Sequence, residues 1–369
     1  MRNQKEHDLY PLRFSVLPKE KVWGGRRLAE LLGQGIRADR LIGEAWVVWD
    51  QLRVEIGALA GKTLADLVRQ DPLSILGSRL ASDPDPEFPL LVKILDTREM
   101  LSVQVHPDDS YAQAHEGQPF GKAEVWYILD AEPQSRLIHG VKKSLTRAKA
   151  KQAIESGQLQ ELLDYVEVAP GDVILNAPGT IHALGGGILL YELQQSADLT
   201  YRLYDWDRQD PSRPLHLQES LDVARLEPFA AHKIEPIEVL EEGATRAYLC
   251  ACEHFAVELL TVQSWARERP AGVCFHVLTV LRGGGYIRYG SDSGGPVKIG
   301  PGGSWLIPAA LDEYELQATG KGPLVLIKAY VPDLLDDVLT PLRQKGVSEE
   351  AILQLGGDAQ SSDLWRLAH

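Results

Sequence analysis

Four side chains suited to metal binding lie in β-like segments in the first half of the chain. Gln104 and His106 stand two residues apart in VQVHP, and alternate residues of a strand point to the same side. Glu124 precedes the apolar run VWYIL, and His182 ends the turn sequence PGTIH. Two imidazoles, a carboxylate and an amide oxygen form a ligand set that suits Zn²⁺ and also accepts Fe²⁺, Co²⁺ or Mn²⁺. The sequence therefore predicts a divalent-metal site.

A guanidinium on a later strand is the next candidate for chemistry. Arg202 lies in LTYRLY, where Thr200, Arg202 and Tyr204 are predicted to share one strand face. A guanidinium on that face can bind phosphate through paired hydrogen bonds or stabilise an anionic intermediate. The alternative is a structural arginine at the mouth of a barrel, paired with Asp205 or Asp207.

Two lysines and a serine accompany these groups. Lys122 lies two residues before Glu124, so both are predicted to share one face, and Lys122 is a candidate phosphate anchor or proton carrier. Lys93 and Ser102 are weaker candidates for substrate contact near the same opening. A solvated lysine is the ordinary expectation for Lys93.

Short strands separated by glycine and proline turns must position these side chains. LLVKIL, LSVQVH and AEVWYIL are rich in β-branched residues, and VAPGDVILNAPGTIHALGGGILLYELQQ alternates strands with turns. That rhythm is typical of a β-barrel or double-sheet jelly roll. Helical spacing in GKTLADLVRQ and in TRAKAKQAIESGQLQELL predicts helices inserted between strands.

The second half of the sequence resembles the first. GGSWLIPA repeats the pattern of GDVILNAP, an apolar strand that follows a glycine turn and ends at proline, so we expect a duplicated barrel. His276 stands alone there, and IPAALDEYE, with Asp312 and Glu313 but no following histidine, replaces the PGTIH turn. We therefore expect no metal in the second barrel.

The predicted fold is mainly β with helical insertions, in two barrels plus a small helical segment. We divide the chain as follows: a metal-binding barrel at 1–58 and 85–208, helical insertions at 59–84 and 144–165, a linker with a helix at 209–244, a second barrel without metal at 245–331, and a helical C-terminal tail at 332–369.

Composition narrows the class of protein. The net charge of −14 disfavours nucleic-acid binding, because an acidic surface repels a phosphate backbone. No stretch approaches the roughly 18 apolar residues of a membrane span, and MRNQKEHDLYPL lacks the apolar core of a secretion signal. Three cysteines without a C-x-x-C pair fit buried thiols in a reducing compartment. We expect a cytoplasmic protein; its oligomeric state is not predicted.

Residues 11–208 resemble the type I phosphomannose isomerases in their shorter bacterial form. The matching segments are LSVQVHPDD, GKAEVWYIL, APGTIHALGGG and ELQQSADLTYRLYDWDR, in that order. The resemblance implies a cupin fold and one zinc ion per chain, with the family's ligands at Gln104, His106, Glu124 and His182 and its catalytic arginine at Arg202. The family often has Thr or Pro where this chain has Ala123.

The predicted activity is the interconversion of mannose 6-phosphate and fructose 6-phosphate through a zinc-assisted cis-enediol. Arg202 and Lys122 are the predicted catalytic residues, and Lys93, Ser102, Lys122 and Arg202 are the predicted substrate contacts. The alternatives are a cupin that binds sugar phosphate without turnover and a metal-dependent cupin oxygenase, since two histidines and a carboxylate also bind Fe²⁺. A seed-storage-like structural protein fits least, because its barrel has no need of inward polar residues.

Overall fold

The computed structural model describes residues 9–33, 36–37, 39–208, 210–290, 295–358 and 362–369. Most of the segment that bears on a secretion signal, residues 1–8, lies outside this range. No helix in the described ranges is both long enough and apolar enough to cross a membrane. The three cysteines, Cys250, Cys252 and Cys274, are free and buried, as the sequence predicts.

Two antiparallel sheets form from the first half of the chain. The strands up to residue 204 are β1 (Leu12–Arg13), β2 (Leu17–Gly25), β3 (Ile42–Val48), β4 (Leu90–Asp96), β5 (Val103–Val105), β6 (Glu124–Ala131), β7 (Arg136–Val141), β8 (Leu163–Glu167), β9 (Val173–Asn176), β10 (His182–Ala183), β11 (Ile188–Gln195) and β12 (Tyr201–Tyr204). One sheet has the strand order β2-β3-β4-β11-β6-β9 and the other β12-β5-β10-β7-β8.

The second half forms another pair of antiparallel sheets. The strands are β13 (Ile237–Glu241), β14 (Ala244–Ala251), β15 (Ala256–Val262), β16 (Trp265–Glu268), β17 (His276–Arg282), β18 (Gly284–Tyr289), β19 (Val297–Ile299), β20 (Ser304–Ile307), β21 (Tyr314–Thr319) and β22 (Leu324–Tyr330). The strand orders of the two sheets are β1-β20-β17-β22-β15-β14-β13 and β16-β21-β18-β19.

Short helices occupy the connections and the C-terminal end. They are α1 (Arg27–Leu32), α2 (Leu64–Gln70), α3 (Pro72–Leu76), α4 (Asp109–Tyr111), α5 (Arg147–Glu155), α6 (Leu159–Leu162), α7 (Leu217–Val223), α8 (Thr340–Gln344), α9 (Glu349–Gln354) and α10 (Asp363–Ala368). Two π-helical turns, Ala112–Glu116 and Leu334–Leu339, and a 3₁₀ turn, Ala309–Leu311, complete the helical elements of the described ranges. The prediction of a mainly β cupin fold with helical insertions is confirmed, whereas the number of barrels stays a prediction.

Each pair of sheets encloses its own apolar interior. Leu95 on β4, Trp126 on β6 and Leu137 on β7 meet in one cluster between the two sheets of the first half. Leu260 on β15 and Ile287 on β18 do the same in the second half. Burial of these side chains supplies the main driving force for closing the sheets on each other.

A third apolar layer joins the halves. Val92 on β4 and Tyr191 on β11 pack in one cluster with Val257 on β15 and Ile327 on β22. Strands β3, β4 and β11 are therefore buried on both faces, which explains their nearly continuous apolar sequences. The side chains that point into the first interior alternate with those that form the joint between halves.

One predicted boundary differs from the structure. The segment 1–58 was assigned to the first barrel, but β1 pairs with β20 of the second half, with Leu12 opposite Leu306. Leu12 is fully buried in the layer between the halves. Two residues of strand carry no periodic signal that could identify a partner so distant in the sequence.

Candidate active site and metal centre

His106, Glu124 and His182 converge inside the first pair of sheets. Their ligand atoms all lie within 4.8 Å of one another. The Glu124 carboxylate lies between the imidazoles, with Oε1 3.1 Å from His182 Nε2 and Oε2 3.6 Å from His106 Nε2. All three residues are at most 2% exposed. In the described ranges this is the one cluster of three or more histidine, cysteine or acidic side chains so closely placed.

Strand alternation and register explain why these side chains meet. Val103 and Val105 of β5 pack outward in the apolar cluster under α5 and α7, so Gln104 points inward, as the sequence predicts. In the register of the sheet, Gln104 lies opposite His182 of β10 on one side and Arg202 of β12 on the other. Cross-strand partners share a face, so the sheet itself gathers these three residues.

The protonation states of the cluster suit a divalent cation. Burial, together with the nearby Lys122 charge, lowers the pKa of His106 well below its ordinary value, so its imidazole is neutral. Burial alone would raise the pKa of Glu124, but the nearby Lys122 ammonium opposes it most strongly, so the pKa lies well below its ordinary value and the carboxylate stays ionised. Neutral imidazole and carboxylate are the forms that bind metal.

A backbone contact orients one imidazole. His182 Nδ1 lies 2.9 Å from the carbonyl oxygen of Thr180, which fixes the proton on Nδ1 and leaves Nε2 facing Glu124. Contacts of this kind hold the rings of metal-binding histidines in structural and catalytic sites. By donor chemistry, protonation and orientation, the cluster fits a zinc ion.

Lys122 lies in the centre of the site. Its Nζ is 3.1 Å from Glu124 Oε2 and 3.1 Å from His106 Nε2, and the residue is 5% exposed. Alternation on one strand predicts that Lys122 shares a face with Glu124, and the structure brings the two into direct contact.

A cavity of about 310 Å³ surrounds the cluster. Every side chain singled out from the sequence as a ligand, catalytic group or substrate contact lines it: Lys93, Ser102, Gln104, His106, Lys122, Glu124, His182 and Arg202. The volume lies at the lower end of the ~300–1,000 Å³ range of small-molecule sites. Residues separated by more than 100 positions thus share one polar pocket.

The prediction that Thr200, Arg202 and Tyr204 share one strand face is only partly correct. Thr200 and Arg202 line the cavity, but Tyr204 packs on the other side of the sheet, where its hydroxyl accepts a hydrogen bond from Gln160. The register shifts between Arg202 and Tyr204, which breaks the simple alternation. A bulge of this kind leaves no mark in the local sequence.

Two guanidinium groups meet at Ser102. Arg202 donates from Nε to Ser102 Oγ at 3.1 Å, and Arg213 donates to the same oxygen from Nη2 at 3.4 Å. The carboxylate of Asp205 pairs with Arg213 and with Arg208, so it is not the partner of Arg202. Arg202 is therefore half-buried beside a second cation, an arrangement that favours an anionic ligand.

A network of acidic and basic side chains lines another part of the cavity. Lys93 is 5% exposed, so the expectation of a solvated lysine is wrong. Its Nζ lies 2.9 Å from Glu192 Oε1, and Glu192 Oε2 accepts a hydrogen bond from Trp126 Nε1 at 2.8 Å. Burial alone would lower the pKa of Lys93, but Glu192 and Glu44 outweigh it and raise the pKa, so the ammonium stays charged.

Sequence reasoning missed Glu44, Glu192 and Arg213, all of which line the cavity. A glutamate amid the apolar residues of LLYELQQ was a usable signal, because a buried carboxylate needs a partner. Arg213 lies in RQDPSRP, which reads as a solvent-exposed linker and gives no such signal.

Comparisons with known proteins agree with this architecture. Residues 11–134 match the family model for the catalytic domain of type I phosphomannose isomerase. The chain is 36% identical to a probable mannose-6-phosphate isomerase, GmuF, of Bacillus subtilis over 319 residues, which are 84% of this chain and 97% of that protein. The crystal structure of mannose 6-phosphate isomerase from Bacillus subtilis superposes with a TM-score of 0.76 and 31% identity, covering 86% and 99% of the two chains. A zinc-bound mannose 6-phosphate isomerase has the same fold, with a TM-score of 0.68, 16% identity and coverage of 87% and 99%.

The sheet arrangement and the polar cavity define a cupin-fold protein with a candidate metal centre. The chain belongs to the type I phosphomannose isomerase family. The resemblance predicted from four short motifs is thereby confirmed, and the chain is an isomerase.

Proposed function

We propose that this protein interconverts mannose 6-phosphate and fructose 6-phosphate through a cis-enediol, with one zinc ion per chain, in the cytoplasm. The observation that carries the proposal is the His106–Glu124–His182 cluster in the same cavity as the half-buried Arg202. A related protein with 36% identity bears the name of this activity. Sugar phosphates are anions, and the two guanidinium groups at Ser102 provide a local positive charge on an otherwise acidic protein.

His106, Glu124 and His182 would hold the zinc ion, and Gln104 lines the same cavity as a further candidate ligand. When bound, zinc supplies a Lewis acid that stabilises negative charge on substrate oxygen. Two imidazoles and one carboxylate leave room for a further ligand in a tetrahedral set, as in catalytic zinc sites.

The reaction moves one proton between C1 and C2 of the sugar, and a second proton between the oxygens on those carbons. Removal of the carbon-bound proton leaves an enediolate, whose negative charge needs a partner in a site shielded from water. Arg202 is our candidate for that partner, because it lines the cavity and the nearby carboxylate of Asp205 pairs with Arg213 and Arg208 instead. Arg213 would contact the phosphate group beside it.

Lys122 would transfer a proton or contact phosphate. Its Nζ is within hydrogen-bond reach of Glu124 and His106, a position from which an amine can act on substrate bound at the cluster. Lys93 and Ser102 would contact substrate from different parts of the cavity. Lys93 would act as a donor held by Glu192, and Ser102 lies with the two arginines that donate to it.

A coupled assay of mannose 6-phosphate conversion, run with and without chelator and in the presence and absence of O₂, tests the proposal. We expect turnover that is lost with chelator, restored by Zn²⁺ and independent of O₂. Dependence on O₂ would indicate an oxygenase, and binding of mannose 6-phosphate without turnover would indicate a non-catalytic cupin.

A further inference from the structure

The C-terminal segment, residues 332–369, is anchored on the second half of the molecule. The amide of Ala251 donates to the carbonyl of Leu355 at 3.0 Å, and the amide of Glu253 donates to Asp363 Oδ2 at 2.9 Å. Between these anchors, Asp358 Oδ2 lies 2.5 Å from Nη2 of Arg225, a residue of the connection between the halves. The segment therefore spans from one half of the molecule to the other.

Arg225 contacts the loop that carries a metal-ligand candidate. We call residues 177–181 the ligand loop, since they lead directly into His182. The amide of Arg225 donates to the carbonyl of Gly179 at 2.8 Å, and the amide of Gly179 donates to the carbonyl of His106 at 2.8 Å. The carbonyl of Thr180 in the same loop accepts the contact from His182 Nδ1. One short loop thus contacts both imidazole residues of the cluster.

The ligand loop has little freedom to move toward the connection. Gly179 has a φ of +86°, and a Cβ atom there would lie 2.8 Å from the carbonyl oxygen of Val223. The Arg225 guanidinium also lies 4.2 Å from the ring centroid of Phe229, so its side chain has two partners, one aromatic and one acidic. The position of the loop is therefore coupled to the position of residues 223–225.

We propose that Asp358 is a positioning residue for the metal centre. Its ion pair holds the Arg225 side chain and thereby the position of the Arg225 backbone, whose amide bonds the Gly179 carbonyl. The ligand loop in turn contacts the backbone carbonyl of His106 and Nδ1 of His182. The inference rests on the metal site of the proposed function, and it gives the C-terminal segment a role in that site. Outer contacts of metal ligands are known to control metal affinity.

Hydrogen exchange of the metal-free protein and competition for Zn²⁺ with a chromogenic chelator test this inference. For Asp358→Ala we expect faster exchange in residues 177–182 by roughly three- to tenfold. Zinc affinity should fall by roughly three- to tenfold, less than the ~10–100-fold loss when a direct partner of a ligand is removed. Asp358→Glu should restore both quantities at least in part, because it keeps the charge.

Asp337→Ala is the matched control. Asp337 also belongs to the C-terminal segment and also pairs with an arginine, Arg79, at 2.7 Å. Arg79 lies at a different cavity, which Glu258 and Lys328 of the second half also line. The control should lower thermal stability without changing exchange of the ligand loop or zinc affinity.

Equal effects of Asp358→Ala and Asp337→Ala on the loop and on zinc would overturn the inference, because the role would then be general stability. No change in either measurement for Asp358→Ala would also overturn it. Both readouts are independent of isomerase activity. If the wild-type protein bound no zinc, the proposed function would be wrong. Hydrogen exchange of the ligand loop would still test whether the Asp358–Arg225 ion pair holds that loop.

Discussion

Lys93 and Glu192 form a buried ion pair across β4 and β11, with Nζ 2.9 Å from Oε1. The register of β15 and β22 places Glu258 opposite Lys328 in the second half, with Nζ 2.8 Å from Oε2. The two pairs lie in corresponding sheets of the two halves, but the charges are exchanged. The lysine is on the earlier strand of the first pair and on the later strand of the second. The similarity between the halves thus extends from turn sequences to a buried charge pair. The candidate metal cluster found in the described ranges lies beside the first pair.

Replacement of Glu192 with glutamine should destabilise the protein. Lys93 would remain buried without its nearest carboxylate, and removal of one partner from a buried ion pair costs about 3–5 kcal/mol. Urea denaturation monitored by Trp fluorescence measures the change in the free energy of unfolding. Glu238→Gln, at an exposed position of β13, is the control and should change that quantity by less than about 0.5 kcal/mol. An equally small effect of Glu192→Gln would contradict the importance of the pair.

His182→Ala should remove bound metal and isomerase activity together. The substitution deletes one of three ligand candidates, so we expect a loss of zinc affinity above the ~100-fold that removal of an outer contact gives. Metal content by mass spectrometry and the coupled assay measure the two effects. His115→Ala, at an exposed histidine, should retain both. Full activity of a metal-free His182→Ala protein would refute the role of zinc.

Arg202→Ala should keep its metal but lose turnover. Removal of a group that stabilises charge in the transition state lowers kcat by roughly 10²–10³-fold. Arg213→Ala, at the neighbouring guanidinium, should instead raise KM more than it lowers kcat, because phosphate contacts act in the ground state as well. Steady-state kinetics and metal analysis of both variants separate these roles. An unchanged kcat for Arg202→Ala would make this arginine structural.

The ionisation of Glu258 should make the free energy of unfolding depend on pH in the acidic range. Burial alone would raise its pKa, but Lys328 and Arg246 outweigh it and lower the pKa to about 2 from an ordinary 4.5. A folded-state pKa below the unfolded value means that the stabilisation is complete above pH 4.5 and is lost as pH falls towards 2.

Urea midpoints at a series of pH values from roughly 6 down to 3 measure this dependence. Glu258→Gln should be less stable than the wild type at neutral pH, and its midpoint should fall less steeply with acid. His276 titrates in the same direction, since burial lowers its pKa to about 3, so part of the slope should remain in the variant. Identical slopes would exclude Glu258 as the source.

The sequence alone determined the metal-ligand candidates and the strand face on which Gln104 lies. Gln104 points inward and Val103 and Val105 outward because neighbouring side chains on a strand alternate, a local property of the backbone. Glu124 begins its strand as predicted, and His182 follows its turn. Short motifs in a fixed order were enough to identify the family.

Only the tertiary structure decided which distant groups share the cavity. The burial of Lys93, its pairing with Glu192, and the meeting of Arg202 and Arg213 at Ser102 all depend on how strands far apart in the sequence pair and fold over one another. Tyr204 leaves the predicted face because the register shifts beside it. Strand register and sheet packing are set by long-range contacts, whereas alternation along a strand is set by the peptide backbone itself.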